Sequence, residues 1–295
     1  MGLLLLFFDG IGVGRNDPAE NPFAEIDPGW LAPVAGRAPV DGTGFKGLDA
    51  TLGIPGLPQS ATGQTTLLTG VNAARHIGHH QVGTPGPSLR PLLAEESIFL
   101  KLTRAGARPT FANAFSRAHL EAERPRWSAS TRAYRAAELP FRMWDDEGKN
   151  DTAVSHDYSG EWMAARGYPM PLRTAAQAAD ILCRLVDDHD FVLYEYFLTD
   201  LAGHRGTREE RLEQARRAVA LVDAVISRLD LTRHHVLITS DHGNLEESTH
   251  KRHTLNPVPL LTWGPRSDEV LSRVDGMTDI TPMIVALAGF GSETS

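Results

Sequence analysis

Four short, nearly continuous apolar runs constrain this chain most: Leu3 to Phe8, Phe191 to Phe197, Val236 to Thr239 and Val258 to Trp263, flanked by Gly, Pro, Asp or Asn. A segment apolar at almost every position has no polar face to offer water. It must be covered on both sides, which predicts strands of a mainly parallel sheet lying under helices. The intervening segments supply the cover. Leu212, Ala215, Val219, Val222, Ile226 and Leu229 follow one another at steps of three and four and mark one face of a helix over Arg208 to Leu229. Further helices are expected over Thr174 to about Asp188, Thr281 to Leu287 and Glu95 to Arg104. This alternation predicts the α/β class, with a mainly parallel central sheet sandwiched between helices.

The stretch from Thr84 to Pro171 follows the alternation less well, being rich in Arg, Pro, Trp and Ala. The expected division is therefore an α/β core of residues 1–84 and 173–295, with residues 85–172 inserted as a small cap or lid. Within the insertion, Thr110 to Phe115 reads as a strand and Trp144 to Asp151 as a charged segment; the alternative assigns its first helix and strand to the main sheet.

Composition narrows the class of function. With 41% apolar and 22% charged residues over 295 positions, the chain is globular rather than disordered or fibrous. The 29 Lys and Arg against 37 Asp and Glu leave a net charge of -8, which weighs against phosphate backbones and anionic membranes as partners. No apolar run approaches the roughly 20 residues needed to span a bilayer, and Leu3 to Phe8 lacks a basic leader. Cys183 is the single cysteine, so neither an intrachain disulfide nor a thiolate metal cluster is available. A protein of the reducing cytoplasm is expected.

In an open parallel sheet, ligands collect beyond the carboxyl ends of the strands. The first run is followed there by Asp9-Gly10, the second by a segment containing Asp200 and His204, and the third by Asp241-His242-Gly243-Asn244. His253-Thr254-Leu255-Asn256-Pro257 directly precedes the last run. Three Asp and three His are thus expected to share one edge. Such a donor set suits Mn²⁺ or Zn²⁺ and is large enough for two ions. Taken singly, each Asp has an ordinary reading as a turn former or helix cap, and His79, His80, His234, His235 and His250 read as ordinary polar residues. The clustering is what the ordinary readings do not account for. Small hydroxyl residues in Pro58 to Gly70 enter a short helix, where Ser60, or alternatively Thr62, would present an Oγ at a helix N-terminus that favours an oxyanion. Ser60 also reads as a plain N-cap.

Asp9-Gly10, Ser60 three residues before Gly63, Asp200-x-x-x-His204, Asp241-His242-Gly243-Asn244 and His253-Thr254-x-Asn256-Pro257 resemble the metal-binding core of the alkaline phosphatase superfamily. The similarity is greatest to the branch of cofactor-independent phosphoglycerate mutase and phosphopentomutase. The resemblance implies that Asp200, His204 and His253 hold one divalent ion, that Asp9, Asp241 and His242 hold a second together with Ser60, and that Ser60 is the nucleophile, passing through a phosphoserine intermediate. The implied substrate is a small phosphorylated metabolite. Three departures speak against phosphoglycerate mutase activity: Gln64 stands where the phosphoglycerate mutases have His, no Gly-Gly-Val-His-Ser segment is present, and the insertion is short; hydrolysis ranks first because water needs no specialised acceptor site. A phosphomutase is the alternative, followed by a phosphodiesterase or phosphonate hydrolase and by a non-catalytic metal-binding module. In the insertion, Asn113, Arg117, Arg132, His156 and Asp157, with Arg124, Arg126 and Arg135, are candidate substrate contacts, since Arg pairs bidentately with phosphate. The Arg/Glu pattern of Arg208 to Arg217 reads as solvent-exposed helix surface.

Overall fold

The structure is a computed structural model that describes residues 1–123, 126–144, 151–168 and 170–288. Arg124 and most of the charged segment between Trp144 and Asp151 therefore lie outside the described residues. The strands are β1 (Leu3–Phe8), β2 (Gly44–Leu48), β3 (Pro109–Phe111), β4 (Ala114–Phe115), β5 (Arg142–Met143), β6 (Phe191–Tyr196), β7 (His235–Thr239) and β8 (Val258–Trp263). Six of them form one sheet in the order β2-β8-β7-β1-β6-β3. β1 pairs in parallel with β6 and β7, and β3 in parallel with β6, whereas β8 lies antiparallel to both β7 and β2.

Every residue of β1, β6, β7 and β8 is buried, as runs without a polar face require. Alternate side chains feed two cores. Leu4, Leu6 and Phe8 meet the helices Ala175–Asp188 and Arg208–Ile226, while Leu3, Leu5 and Phe7 meet Ser60–Thr69, Ile98–Arg104 and Ile280–Leu287. Both long helices on the first face begin with capping boxes, at Thr174 with Gln177 and at Thr207 with Glu210. The sandwich of helices around a sheet is thus present, as a mixed sheet in which β8 alone runs against the other five strands.

The expected insertion divides in two. Its first part packs into the core: β3 extends the main sheet, and residues of Ile98–Arg104 and Ala129–Ala136 join the second core. The helix expected over Glu95 to Arg104 is two helices, Arg90–Glu95 and Ile98–Arg104, because Ser97 caps a new start with its Oγ at Leu100 N. The strand expected over Thr110 to Phe115 breaks at Asn113. That side chain takes over the ladder, donating to Glu195 O (2.7 Å) and accepting from Glu195 N (2.9 Å), so the chain leaves the main sheet and continues as β4, paired with β5. The remaining cap covers the carboxyl edge of β6. Arg217 ties it to the core by bonding Ser159 Oγ at 2.8 Å and pairing with Glu161.

No helix among the described residues is long and apolar enough to cross a membrane. Replacement of Thr207 by Ala removes the cap of the longest helix and should lower the free energy of unfolding by about 1 kcal/mol, read by urea denaturation. An unchanged denaturation midpoint would show that this helix start owes nothing to its cap.

Candidate metal centre

The reversal of β8 builds the site. Asp9 follows the end of β1, Asp200 and His204 follow β6, and Asp241 and His242 follow β7; His253 precedes β8, and because β8 is antiparallel its start lies at that same edge. Asp200 and His204 stand four residues apart on the helix Leu198–Arg205, which puts both on one face. The six predicted acids and imidazoles therefore converge.

Two triads emerge, each with donor atoms within 4.8 Å of one another: Asp200, His204 and His253, and Asp9, Asp200 and His242. Asp200 belongs to both. Asp241 stands slightly behind, its Oδ2 3.4 Å from His242 Nε2 and bonded by Gln64 Nε2 at 3.0 Å. The rings of His242 and His253 stack at 3.6 Å and join the two triads.

The hydrogen bonds leave room for cations. His204 Nδ1 lies 2.8 Å from Lys251 O, and His253 Nδ1 2.7 Å from Pro58 O. A carbonyl only accepts, so each Nδ1 carries a proton, and in the neutral ring each Nε2 presents a lone pair. Those two Nε2 atoms face each other at 2.8 Å, with Asp200 Oδ1 at 3.4 and 3.5 Å. Three electron-rich atoms aimed at one point fit a divalent ion with oxygen and nitrogen ligands. In the second triad, Asp9 Oδ1 is buried without a hydrogen-bond partner, which fits the same chemistry.

Electrostatics agree with this crowding. Burial, reinforced by Asp241, Asp200 and Glu195, holds the Asp9 carboxyl well above the usual carboxylate range. Burial alone would also raise Asp200, yet the hydrogen bond with His253 and the charge of His242 pull it to about 2. Burial likewise opposes charge on His253, and Asp200 outweighs it, so His253 is raised. His242 is lowered, chiefly by burial. Glu195, buried behind the site, is pushed to about 7 by desolvation.

Ser60 is the first residue of the helix Ser60–Thr69; Gln59 occupies the cap position, so the Ser60 hydroxyl is not consumed in capping. Its Oγ lies 3.0 Å from His242 Nε2. Thr62 is placed differently: its hydroxyl is buried and donates to Gln59 O at 3.0 Å. At Gly63 a Cβ would come within 2.7 Å of Asp241 O, so the bare backbone lets this helix close on the site. At Gly243 a Cβ would meet Thr254 Oγ1 at 2.2 Å, where Thr254 N donates to Gly243 O and stitches the two histidine loops together.

Several residues position the site in ways the motif reading did not assign, among them Glu246 and Arg211, and Gln64 and Asn244, which it named without a role. Gln64 Nε2 donates to Asp9 Oδ2 (3.1 Å) and Asp241 Oδ2, and its place four residues after Ser60 is the signal that points to it. Glu246 accepts from Gly12 N, Asn244 N, Thr254 Oγ1 and Asn256 Nδ2, binding three loops through one carboxylate. Asn244 Nδ2 donates to Asp200 Oδ1 at 2.7 Å. Arg211 is not exposed helix surface: it is buried and donates to the carbonyls of Gly203, Glu247 and His250, because the loops carrying the ligands fold over it.

Beside Ser60 and Asp9 opens a cavity of about 510 Å³ under the cap. Of the substrate contacts expected there, His156 and Arg126 line it. Asn113 does not, since both ends of its amide are spent on Glu195; Asp157 is buried and accepts from Ser155 Oγ and Trp162 N. Arg132 and Arg135 stack on Trp127, and Arg117 opens the short helix Arg117–Leu120; none of these three lines the cavity. A smaller cleft on the other side of Ser60 is bordered by Lys251, Arg252, His204 and His253.

Comparison with known proteins places this geometry. The profile of the metalloenzyme superfamily matches residues 164–291, which carry four of the six predicted acids and imidazoles in Asp200, His204, Asp241 and His242, and His253 as a fifth. The described fold superposes over 97% of this chain and 100% of the cold-active alkaline phosphatase of a Shewanella species, with TM-score 0.52 at 12% identity. Residues 164–291 thus match the metalloenzyme superfamily, and the fold is shared with alkaline phosphatases. A Pyrococcus horikoshii protein shares the fold over 100% of this chain and 99% of its own, with TM-score 0.58 at 14% identity. The 2,3-bisphosphoglycerate-independent phosphoglycerate mutase of Halobacterium salinarum is 31% identical over 119 residues, 37% of this chain and 23% of that protein. That of Pseudomonas putida is 28% identical over 129 residues, 40% of this chain and 25% of that protein. The chain thus matches about a quarter of the length of these curated relatives.

Because the folded protein holds the Asp9 carboxyl above its value in the unfolded chain, ionising Asp9 costs stability, increasingly so as pH rises from the ordinary carboxylate range towards the folded value. Asp9→Asn should therefore stabilise the chelator-treated protein, by more at about pH 8 than at about pH 5. Added Mn²⁺ should raise the melting temperature of the unmodified protein more than that of the variant. A variant less stable than its parent in chelator at the higher pH would refute this account.

Proposed function

We propose that this protein is a two-metal phosphoryl-transfer enzyme that hydrolyses a small phosphomonoester through a phosphoserine at Ser60. The observation that carries the reading is the Ser60 hydroxyl itself, free of capping at the start of a ten-residue helix and 3.0 Å from His242 Nε2, amid two triads of metal-type donors. Asp200, His204 and His253 would hold one ion; Asp9, Asp241 and His242, with Ser60, would hold the other, Asp200 lying close to both.

Bound Mn²⁺ or Zn²⁺ would supply the positive charge that stabilises an ionised hydroxyl and the phosphoryl oxygens. The chain's own residues do the rest. The backbone N–H groups of the first turn after Gln59 face the phosphoryl oxygens, where the helix dipole favours negative charge. Gln64 fixes Asp9 and Asp241 in one orientation, and the carbonyls of Pro58 and Lys251 fix the tautomers of His253 and His204. Ser60 Oγ forms a bond to phosphorus as the ester oxygen leaves with the alcohol. Water then displaces Ser60, releasing inorganic phosphate. A mutase, in which a substrate hydroxyl takes the place of water, is the second reading, supported by the names of the curated relatives.

With Mn²⁺ supplied, the purified protein should release phosphate from 4-nitrophenyl phosphate, and Ser60→Ala should abolish turnover while keeping metal content by elemental analysis. Thr62→Ala should reduce turnover less than Ser60→Ala does. A trapped phosphoserine on the Ser60 peptide is the expected mass-spectrometric signature; full turnover in Ser60→Ala would exclude the covalent route. Positional isomers of a sugar phosphate among the products would decide for the mutase.

A further inference from the structure

The inner end of the 510 Å³ cavity is polar, with Asp9, Ser60, Gln64 and Glu195, while the space beyond them is walled by rings. Phe115, Trp144, His156, Trp162, Tyr168 and Phe197 all line it. They stand edge to face: Trp162 on Phe197 at 5.6 Å and 87°, Trp144 on Tyr168 at 5.6 Å and 83°, and His156 on Phe115 at 5.2 Å and 90°. A further flat ring packs well against a wall of rings paired in this way, with Arg166 already lying over one face of Trp162 at 3.6 Å. Charge is scarce by comparison. Arg126 is the one permanent cation among the described lining residues, and the acidic groups at the inner end, Asp9 and Glu195, are both held above the usual carboxylate range. A second anionic group on the substrate would find Arg126 alone to balance it among the described lining residues. Burial and the neighbouring His119 push His156 down to about 4, so near neutral pH its ring adds aromatic surface rather than charge. The volume lies within the range of about 300–1,000 Å³ usual for small-molecule sites.

We infer that the alcohol part of the substrate carries a planar aromatic or heteroaromatic ring, which sits among these cap residues while its phosphate reaches Ser60. This assignment rests on the phosphoryl-transfer reading above and adds the class of substrate to it. The carboxylated and open-chain sugar phosphates are poor matches to such walls, having no flat apolar face to bury.

Two esters of similar alcohols, 2-phenylethyl phosphate and n-propyl phosphate, separate the ring from leaving-group reactivity. Binding is read by calorimetry on the full-length Mn²⁺-loaded S60A protein, and phosphate release on the parent. The phenylethyl ester should bind at least about tenfold tighter than the propyl ester. Trp162→Leu and Tyr168→Ala should each reduce that ratio about threefold or more. Tyr168 is 42% exposed, so its replacement keeps the test open even if Trp162→Leu fails to fold. Affinities equal within about twofold, or a preference untouched in the Tyr168 variant, would overturn the assignment. Absence of Ser60-dependent phosphate release from both esters would instead overturn the phosphoryl-transfer reading, and it is scored on the parent enzyme independently of the binding ratio.

Discussion

Three carboxylates drawn out of water to one sheet edge repel one another, and the rest of the molecule is organised around holding them there. Asp9, Asp200 and Asp241 are largely buried, and no Lys or Arg pairs with any of them among the described residues. Imidazoles supply the nearest positive character, and Asp200 raises His253 against the effect of burial. Desolvated like charges are costly unless a cation offsets them. The structure accepts that cost at one edge while the strands behind it are buried and largely apolar.

What keeps the acids in position is a layer of neutral donors and one further carboxylate. Gln64 bridges Asp9 and Asp241, Asn244 holds Asp200, and Glu246 collects donors from the loops after β1 and β7 and before β8. Arg211 braces the same loops through their carbonyls. Such partners orient ligands without competing for a cation, the usual division of labour in metal sites. The cap adds a different chemistry. Its aromatic walls meet the polar centre at Ser60, Asp9, Gln64 and Glu195, so under the proposed function separate parts of the chain would handle the reacting end and the recognised end of a substrate.

Much of this was legible in the residues. The four apolar runs, the helices after Thr174 and Thr207, and the acid and histidine motifs depend on neighbours in sequence, through periodicity and capping, and the strands and helices stand within a few residues of where those patterns put them. The cavity lining was legible only at His156 and Arg126, since Arg, Asn and Asp in an irregular segment carry no local mark of direction. Asn113 turned into the main sheet, Asp157 into its own turn, and the aromatic residues that line the cavity were passed over.

By itself the sequence determined which segments must be buried on both faces and which reactive side chains sit at their ends, because burial pattern and chain adjacency are local properties. The tertiary structure alone decided that β8 runs backwards, bringing His253 to the edge shared by Asp9, Asp200 and Asp241. It likewise decided that Gln64, Glu246 and Arg211 face inward and that Ser60 rather than Thr62 points at the metal-type donors. Strand direction and side-chain orientation follow from contacts between residues far apart in the chain, and no short pattern of neighbours encodes them.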